Sequence, residues 1–222
     1  MGLKRILEPE LMETRRDALE YEAIDHEKAN AEFADYLATE LRFAGGRLLD
    51  LGTGPGDLPV AVCRRLKNAR VTAVDLSPVM RALAAKKIAR SGLSGRIRLL
   101  RADVKATKLP SGSFDLVICS NLVHHLPDPV LLFREIGRLC RPGGGFLIRD
   151  LRRPATLKAL NALMLGAAGD TPRQLELLRN SLRAALRTAE AGFYAKKAGL
   201  ENFTLRSVGN RHWQLERPVT ER

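Results

Sequence analysis

The sequence predicts an α/β fold, a doubly wound and mostly parallel sheet with helices on both faces. Two observations carry this. From Arg47 onward, short apolar runs alternate with helix-length stretches, the pattern of repeated strand–helix–strand units. Within it, Arg47 to Pro59 (RLLDLGTGPGDLP) reads as a buried strand, Leu48, Leu49 and Leu51, entering a glycine turn that opens a helix. A strand, a glycine turn and a helix make the nucleotide-binding corner of a doubly wound sheet. A chain of 222 residues suits one such domain with appendages.

The elements follow in order. Residues 9–42 carry apolar side chains at helical spacing (Leu11, Ala18, Leu19, then Phe33, Leu37, Leu41), with no proline after Pro9 and no glycine before Gly45-Gly46. Two helices are expected there, broken near Ile24-Asp25-His26. Strands are expected at 47–51, 70–74, 96–101, 114–119 and 145–150, and helices at 57–67, 78–91 and 128–140. Ser77-Pro78 starts a helix, with proline in its first turn. Arg141-Pro142-Gly143-Gly144 ends another. Two helical patterns, 155–168 and 172–187, form an insertion after the fifth strand, and Thr171 before Pro172 is a natural cap. A helix at 188–198 and a hairpin of 202–207 with 211–216 complete the chain. The division expected is a helical cap over 1–46 and a main domain over 47–222, in which 154–188 covers the site.

The glycine turn indicates the ligand. A dinucleotide fingerprint is G-x-G-x-x-G, with pyrophosphate on the helix N-terminus. Here Gly52, Gly54 and Gly56 are spaced G-x-G-x-G around Thr53, and Asp50 and Asp57 bracket the turn. Two carboxylates repel a pyrophosphate and suit a ligand carrying an ammonium and a sulfonium, which is S-adenosylmethionine. A tight turn without a ligand is the alternative. Asp75 ends the second strand about 20 residues on, where a carboxylate accepts from ribose hydroxyls. Asp103 ends the third strand, where its carboxylate can accept from an adenine amino group while Val104 offers a backbone N–H. Asn121 ends the fourth, followed by His124-His125. Four strand ends thus face one crevice.

The series LDLGTGPG, AVDLSPVM, RADVKATKLP, FDLVICSNLVHHLPDP and LCRPGGGFLIRD resembles the class I S-adenosylmethionine-dependent methyltransferases, and within them the small-molecule branch of the quinone-biosynthesis type. The resemblance covers residues 47–150. It implies a Rossmann-like seven-stranded sheet in the order 3-2-1-4-5-7-6 with strand seven antiparallel. It also implies that Asp50 and the Gly52–Gly56 backbone hold the methionine portion, Asp75 the ribose and Leu76 one adenine face. Asp103 and Val104 would read the adenine edge, and Asn121 would lie by the methyl group. The expected activity is methyl transfer to a small molecule. Transfer to RNA or protein, and a non-catalytic cofactor-binding module, are the alternatives.

Other residues bear on the acceptor. If a general base is needed, His125 and His26 are the candidates. Asp150, at the end of the fifth strand, could orient an acceptor, and Arg149 nearby could attract an anionic one. His26, His125 and His212 come from distant segments, so no metal site is expected. Ser120-Asn121-Leu122-Val123 is not the N-P-P-Y type of motif used on base amino groups, and no Pro-Cys pair of a cysteine nucleophile stands there. Asn121 where polyamine synthases on this fold carry an acid counts against that chemistry.

The net charge is +12, distributed as −5 over residues 1–46, +10 over 47–150 and +7 over 151–222. An acidic segment lying across a basic body accounts for this, and so would a nucleic-acid surface, although no aromatic interleaving accompanies the basic residues. Cys63, Cys119 and Cys140 form no C-x-x-C pair, so zinc and redox motifs are not expected. No apolar run reaches membrane-spanning length, and the first residues are too charged for a signal peptide. Ile6 stands where a myristoylation signal has Ser or Thr. A cytoplasmic location is therefore expected.

Overall fold

Apolar side chains on alternate positions of each strand need cover on both faces of the sheet, and helices supply it. The computed structural model describes residues 2–9, 14–167 and 169–220. In chain order the elements are α1 (Arg15–Glu22), α2 (Glu27–Thr39), β1 (Gly46–Leu51), α3 (Asp57–Arg65), β2 (Ala69–Asp75), α4 (Pro78–Arg90) and β3 (Ile97–Arg101). They continue with β4 (Phe114–Ser120), a 3₁₀ turn (Val123–His125), α5 (Val130–Leu139), β5 (Cys140–Leu151), α6 (Leu157–Leu165) and α7 (Pro172–Ala184). The last are α8 (Thr188–Lys197), β6 (Thr204–Val208) and β7 (His212–Arg217). Leu11, part of the expected helical pattern, and Ala168, the last residue of the expected 155–168 helix, lie outside the described residues.

The sheet order is β3-β2-β1-β4-β5-β7-β6, with β7 antiparallel to both neighbours. This is the order the family resemblance implies. In register, Asp50 pairs with Ala73 and Ile118, and Ser120 with Arg149. Asp50, Asp75, Asn121 and Asp150 therefore leave the sheet at one edge.

The period of two divides the core. Leu49, Leu51, Val117, Phe146 and Trp213 pack on one face with Phe133 of α5. Leu48, Leu116, Ile118 and Leu147 pack on the other with Val62 of α3 and Phe33 and Leu37 of α2.

Several element bounds differ from expectation, β5 and α7 among them. β5 begins at Cys140, because Cys140 pairs with Phe114 before the register jumps to Leu116 and Gly145. The proline–glycine segment is thus an irregularity within the strand. A Cβ on Gly145 would lie 2.6 Å from the Arg217 carbonyl oxygen, so only glycine admits β7 there. α7 ends at Ala184, short of residue 187, because Ala185 turns extended (φ −59°, ψ 153°). Leu186 is then buried and bridges to Arg152. Among the described residues no helix is long and apolar enough to cross a membrane.

Candidate active site

The glycine turn is fixed by the strand beside it. Gly52 and Thr53 both donate to the Val74 carbonyl oxygen, at 2.9 and 3.0 Å, and Gly54 donates to Asp75 Oδ2 at 2.9 Å. All three glycines have positive φ (76°, 54° and 86°), a region that penalises a side chain. A Cβ on Gly52 would meet the Leu122 side chain at 2.8 Å, and one on Gly56 would meet Ala84 at 3.0 Å. A Cβ on Gly54 would have nothing within 4 Å, so the turn is closed by packing on two sides and open at its tip.

That opening belongs to a cavity of about 710 Å³. Asp50, Thr53, Asp75, Leu76, Asp103, Val104 and Asn121 line it from the strand ends. Tyr21, His26, Asn30 and Phe33 line it from α1, α2 and the turn between them, and Gln174, Leu178 and Ser181 from α7. Asp50 is buried, and burial, with the nearby Asp75 charge, pushes its carboxyl up to about 7. Its Oδ2 has no hydrogen-bond partner among the described residues, and neither has the buried carboxamide oxygen of Asn121. Asn121 is itself held at φ 52°, its N–H donating to the Arg149 carbonyl oxygen. Asp75 accepts from Ser77 N–H on Oδ1 and from Gly54 on Oδ2, and burial raises its pKa. Asp103 accepts from the Lys105 N–H and lies 3.3 Å from its ammonium. Asp57 is bound by Lys87 at 2.7 Å, so its charge is already matched.

Two buried acceptors without donors, beside a turn open only at Gly54, fit a ligand that brings an ammonium and hydroxyls. Buried polar atoms are seldom left unpaired. S-adenosylmethionine supplies donors of that kind.

A second group lies beyond Asn121. Asp150 is buried and does not line the cavity. Its Oδ2 accepts from Val123 N–H at 2.6 Å, while its Oδ1 accepts from Leu151 N–H and pairs with His124 Nδ1 at 2.7 Å. The expectation that Asp150 faces an acceptor is therefore corrected, since both oxygens serve the 3₁₀ turn and its histidine. Burial alone would lower His124, but Asp150 and Glu8 overcome it and raise the pKa. Burial raises Glu8. Burial, with His124 beside it, lowers His125 to about 3.

The remaining expected residues are dispersed. Arg149 does line the cavity, but its Nε donates to Gln214 and its guanidinium stacks 4.8 Å from the Phe33 ring centroid. His26 lines the cavity from the α1–α2 turn, its Nε2 is buried without a partner, and burial lowers its pKa. His212, lowered to about 4 by burial, also lines it. His26 and His212 do not gather with His125. The group of potential metal ligands among the described residues is Glu8, His124 and His125. Glu8 and Ser181 were not singled out in the sequence, where neither falls in a motif.

A family model described as a methyltransferase domain matches residues 48–144. The chain is 33% identical over 168 residues to the ubiquinone biosynthesis O-methyltransferase of Xanthomonas euvesicatoria pv. vesicatoria (strain 85-10), an alignment covering 75% of this chain and 67% of that protein. A solved methyltransferase from Aquifex aeolicus, described as dependent on S-adenosylmethionine, superposes with a TM-score of 0.68 at 17% identity, covering 92% of this chain and 98% of that one. Phosphoethanolamine N-methyltransferase 2 of Haemonchus contortus, solved with S-adenosyl-L-methionine, gives 0.61 at 22% identity, covering 88% and 46%. At those identities the two structures speak for the fold, and the sequence match extends the likeness to the family. By its strand-end residues, its sheet order and these relatives, the chain belongs to the class I S-adenosylmethionine-dependent methyltransferases.

Proposed function

We propose that this enzyme methylates a hydroxyl group of a small molecule held in the cavity between the strand ends and the helices α1, α2 and α7. The observation that carries this is one continuous cavity lined by all of these elements together. It supports reading the N-terminal helices and the insertion as cover over the acceptor. An oxygen acceptor is supported by the relative, whose printed name is an O-methyltransferase.

When bound, the cofactor supplies a methyl group on sulfur already activated for displacement. The chain holds and orients it. Asp50 and the Asn121 carboxamide oxygen would take its donors, and Asp75 its ribose. Leu76 would cover the adenine, whose edge Asp103 and the Val104 N–H would read. The backbone of Gly52, Thr53, Gly54 and Gly56 lets it approach closely. With the methyl group already activated on sulfur, positioning does most of the catalytic work. Of the two histidines in view, His26 has the free nitrogen to accept the hydroxyl proton. His125 Nδ1 already faces Pro9 and Glu8.

Calorimetry with S-adenosylmethionine tests the reading. One site per chain is expected, lost in Asp75→Ala. Folded protein that gives no heat would end it. An acceptor panel read by S-adenosylhomocysteine release then tests the hydroxyl. The net charge of +12 favours RNA as the second acceptor class. Retention on RNA that weakens steeply with salt would support that class over a small molecule.

A further inference from the structure

The geometry points to a divalent-metal site on the cavity wall, formed by Glu8, His124 and His125 and suited to zinc or a similar ion. Glu8 Oε1 lies 3.4 Å from His124 Nε2 and 3.3 Å from His125 Nδ1, and the ligand atoms of all three residues lie within 4.8 Å of one another. Charge-assisted hydrogen bonds are shorter, about 2.7–2.9 Å. Metal bonds of about 2.0–2.1 Å at a tetrahedral angle set neighbouring donor atoms about 3.4 Å apart. The spacing is thus that of two ligand edges. The ligand atoms of His124 and His125 lie within the same 4.8 Å.

The surroundings are those of a built site. Asp150 pairs with His124 Nδ1 at 2.7 Å, which leaves Nε2 turned toward Glu8. A carboxylate on the far nitrogen is how proteins orient a metal-binding imidazole. Ser181 donates to Glu8 at 3.1 Å, fixing the carboxylate from α7. Arg5 ties the segment that carries Glu8 to the histidine turn, donating to the Leu126 carbonyl oxygen at 2.9 Å. His125 Nδ1 also lies 3.2 Å from the Pro9 carbonyl oxygen. A proton on Nδ1 makes that contact, and moving it to Nε2 frees Nδ1 for a metal.

All three ligands line the cavity. Two imidazoles and one carboxylate leave a coordination position open, the arrangement of catalytic rather than structural zinc. An acceptor hydroxyl bound there would become more acidic. Its proton would pass to solvent, and its oxygen lone pair would form the new C–O bond as the methyl–sulfur bond breaks with its electrons retained on sulfur. This last role rests on the methyl-transfer reading, whereas the metal site does not.

Tag-free protein stripped with a chelator and titrated with Co²⁺ tests the site. One equivalent is expected to bind with a visible ligand-field band that excess Zn²⁺ abolishes. Glu8→Gln and His125→Asn should each weaken binding at least tenfold with the fold intact by circular dichroism. Asp150→Asn should weaken it by about 10–100-fold. No stoichiometric band, or an affinity unchanged in both Glu8→Gln and His125→Asn, would overturn the proposal. Calorimetry with S-adenosylmethionine on the stripped protein separates the two readings. Cofactor binding without Co²⁺ binding defeats only the metal site, and Co²⁺ binding without cofactor binding defeats only the methyl-transfer assignment.

Discussion

Asp50 is a carboxyl that burial holds near neutrality, at about 7, in the protein without ligand. A ligand ammonium is stabilised by the ionised form. Affinity for S-adenosylmethionine should therefore fall as pH drops below 7, by up to about tenfold per unit, and titrations between pH 5.5 and 8.5 would show it. Asp50→Asn should bind weakly and lose the slope. In the ligand-free protein the folded state keeps a proton that the unfolded chain, at 3.8, gives up. Asp50 thus favours folding most below about pH 4, and that contribution is lost as pH rises through 7. Asp50→Asn should accordingly melt higher than the parent at pH 8 without cofactor. The glycines give a second prediction. At Gly54 a Cβ meets no atom within 4 Å, so Gly54→Ala should lower stability by only the left-handed penalty, about 1–2 kcal/mol. Its loss of cofactor affinity should be disproportionate. At Gly52 the added Cβ also strikes Leu122, so Gly52→Ala should unfold at lower urea.

At the scale of elements, the loop after β3 is clamped by α5. Glu135 accepts from the Thr107 N–H at 2.8 Å and the Thr107 hydroxyl at 2.5 Å, and pairs with Arg138 at 2.7 Å. Its hydrogen bonds hold its pKa down against burial. Glu135→Ala strands the buried Thr107 groups, so urea melts should show a loss of about 2–3 kcal/mol. Because Asp103 and Val104 sit on that loop, cofactor affinity should fall with it. Nothing in the sequence marked this clamp. Glu135 stands beside Leu132, Phe133 and Ile136 and reads as an ordinary helical charge. The strands were legible because apolar runs between glycine and proline punctuation have few other readings. The end of α7 was not, because Leu182, Ala185 and Leu186 continue a helical pattern although the chain turns extended to bury Leu186. Thr171, by contrast, does cap α7, and Gln174 completes the box. Thr171→Ala should cost about 1 kcal/mol by the same assay.

Over the whole molecule, what the sequence made legible was what parallel topology determines. Four strand ends reach one edge whatever the side chains do, so Asp50, Asp75, Asp103 and Asn121 could be grouped before any coordinates. Glu8 meets His124 across a chain separation of 116 positions, and no periodicity encodes such a contact. The acidic N-terminal segment is likewise tied to the basic body by specific pairs, Asp17 with Arg173, Asp35 with Arg65, and Glu22 with Lys87. Its two helices, however, are bound to the body differently. α1 buries a single residue, Ala18, whereas α2 and the turn after it bury Phe33, Ala34, Leu37, Leu41 and Phe43 in the cluster that holds Leu48 and Ile118. Each large apolar side chain buried there contributes about 1.5–3 kcal/mol. Four of them together match the whole stability of a typical domain, about 5–15 kcal/mol. Deleting residues 1–26 should therefore leave a monodisperse, cooperatively melting protein, and deleting 1–45 should not. The shorter deletion removes Glu8, Tyr21 and His26, among others, from the cavity wall but none of the strand ends. It should keep S-adenosylmethionine binding within a few-fold while abolishing turnover, as calorimetry and S-adenosylhomocysteine release would show. Loss of cofactor binding in the folded 1–26 deletion would mean that residues up to His26, α1 among them, hold the cofactor itself and do not merely close over the acceptor.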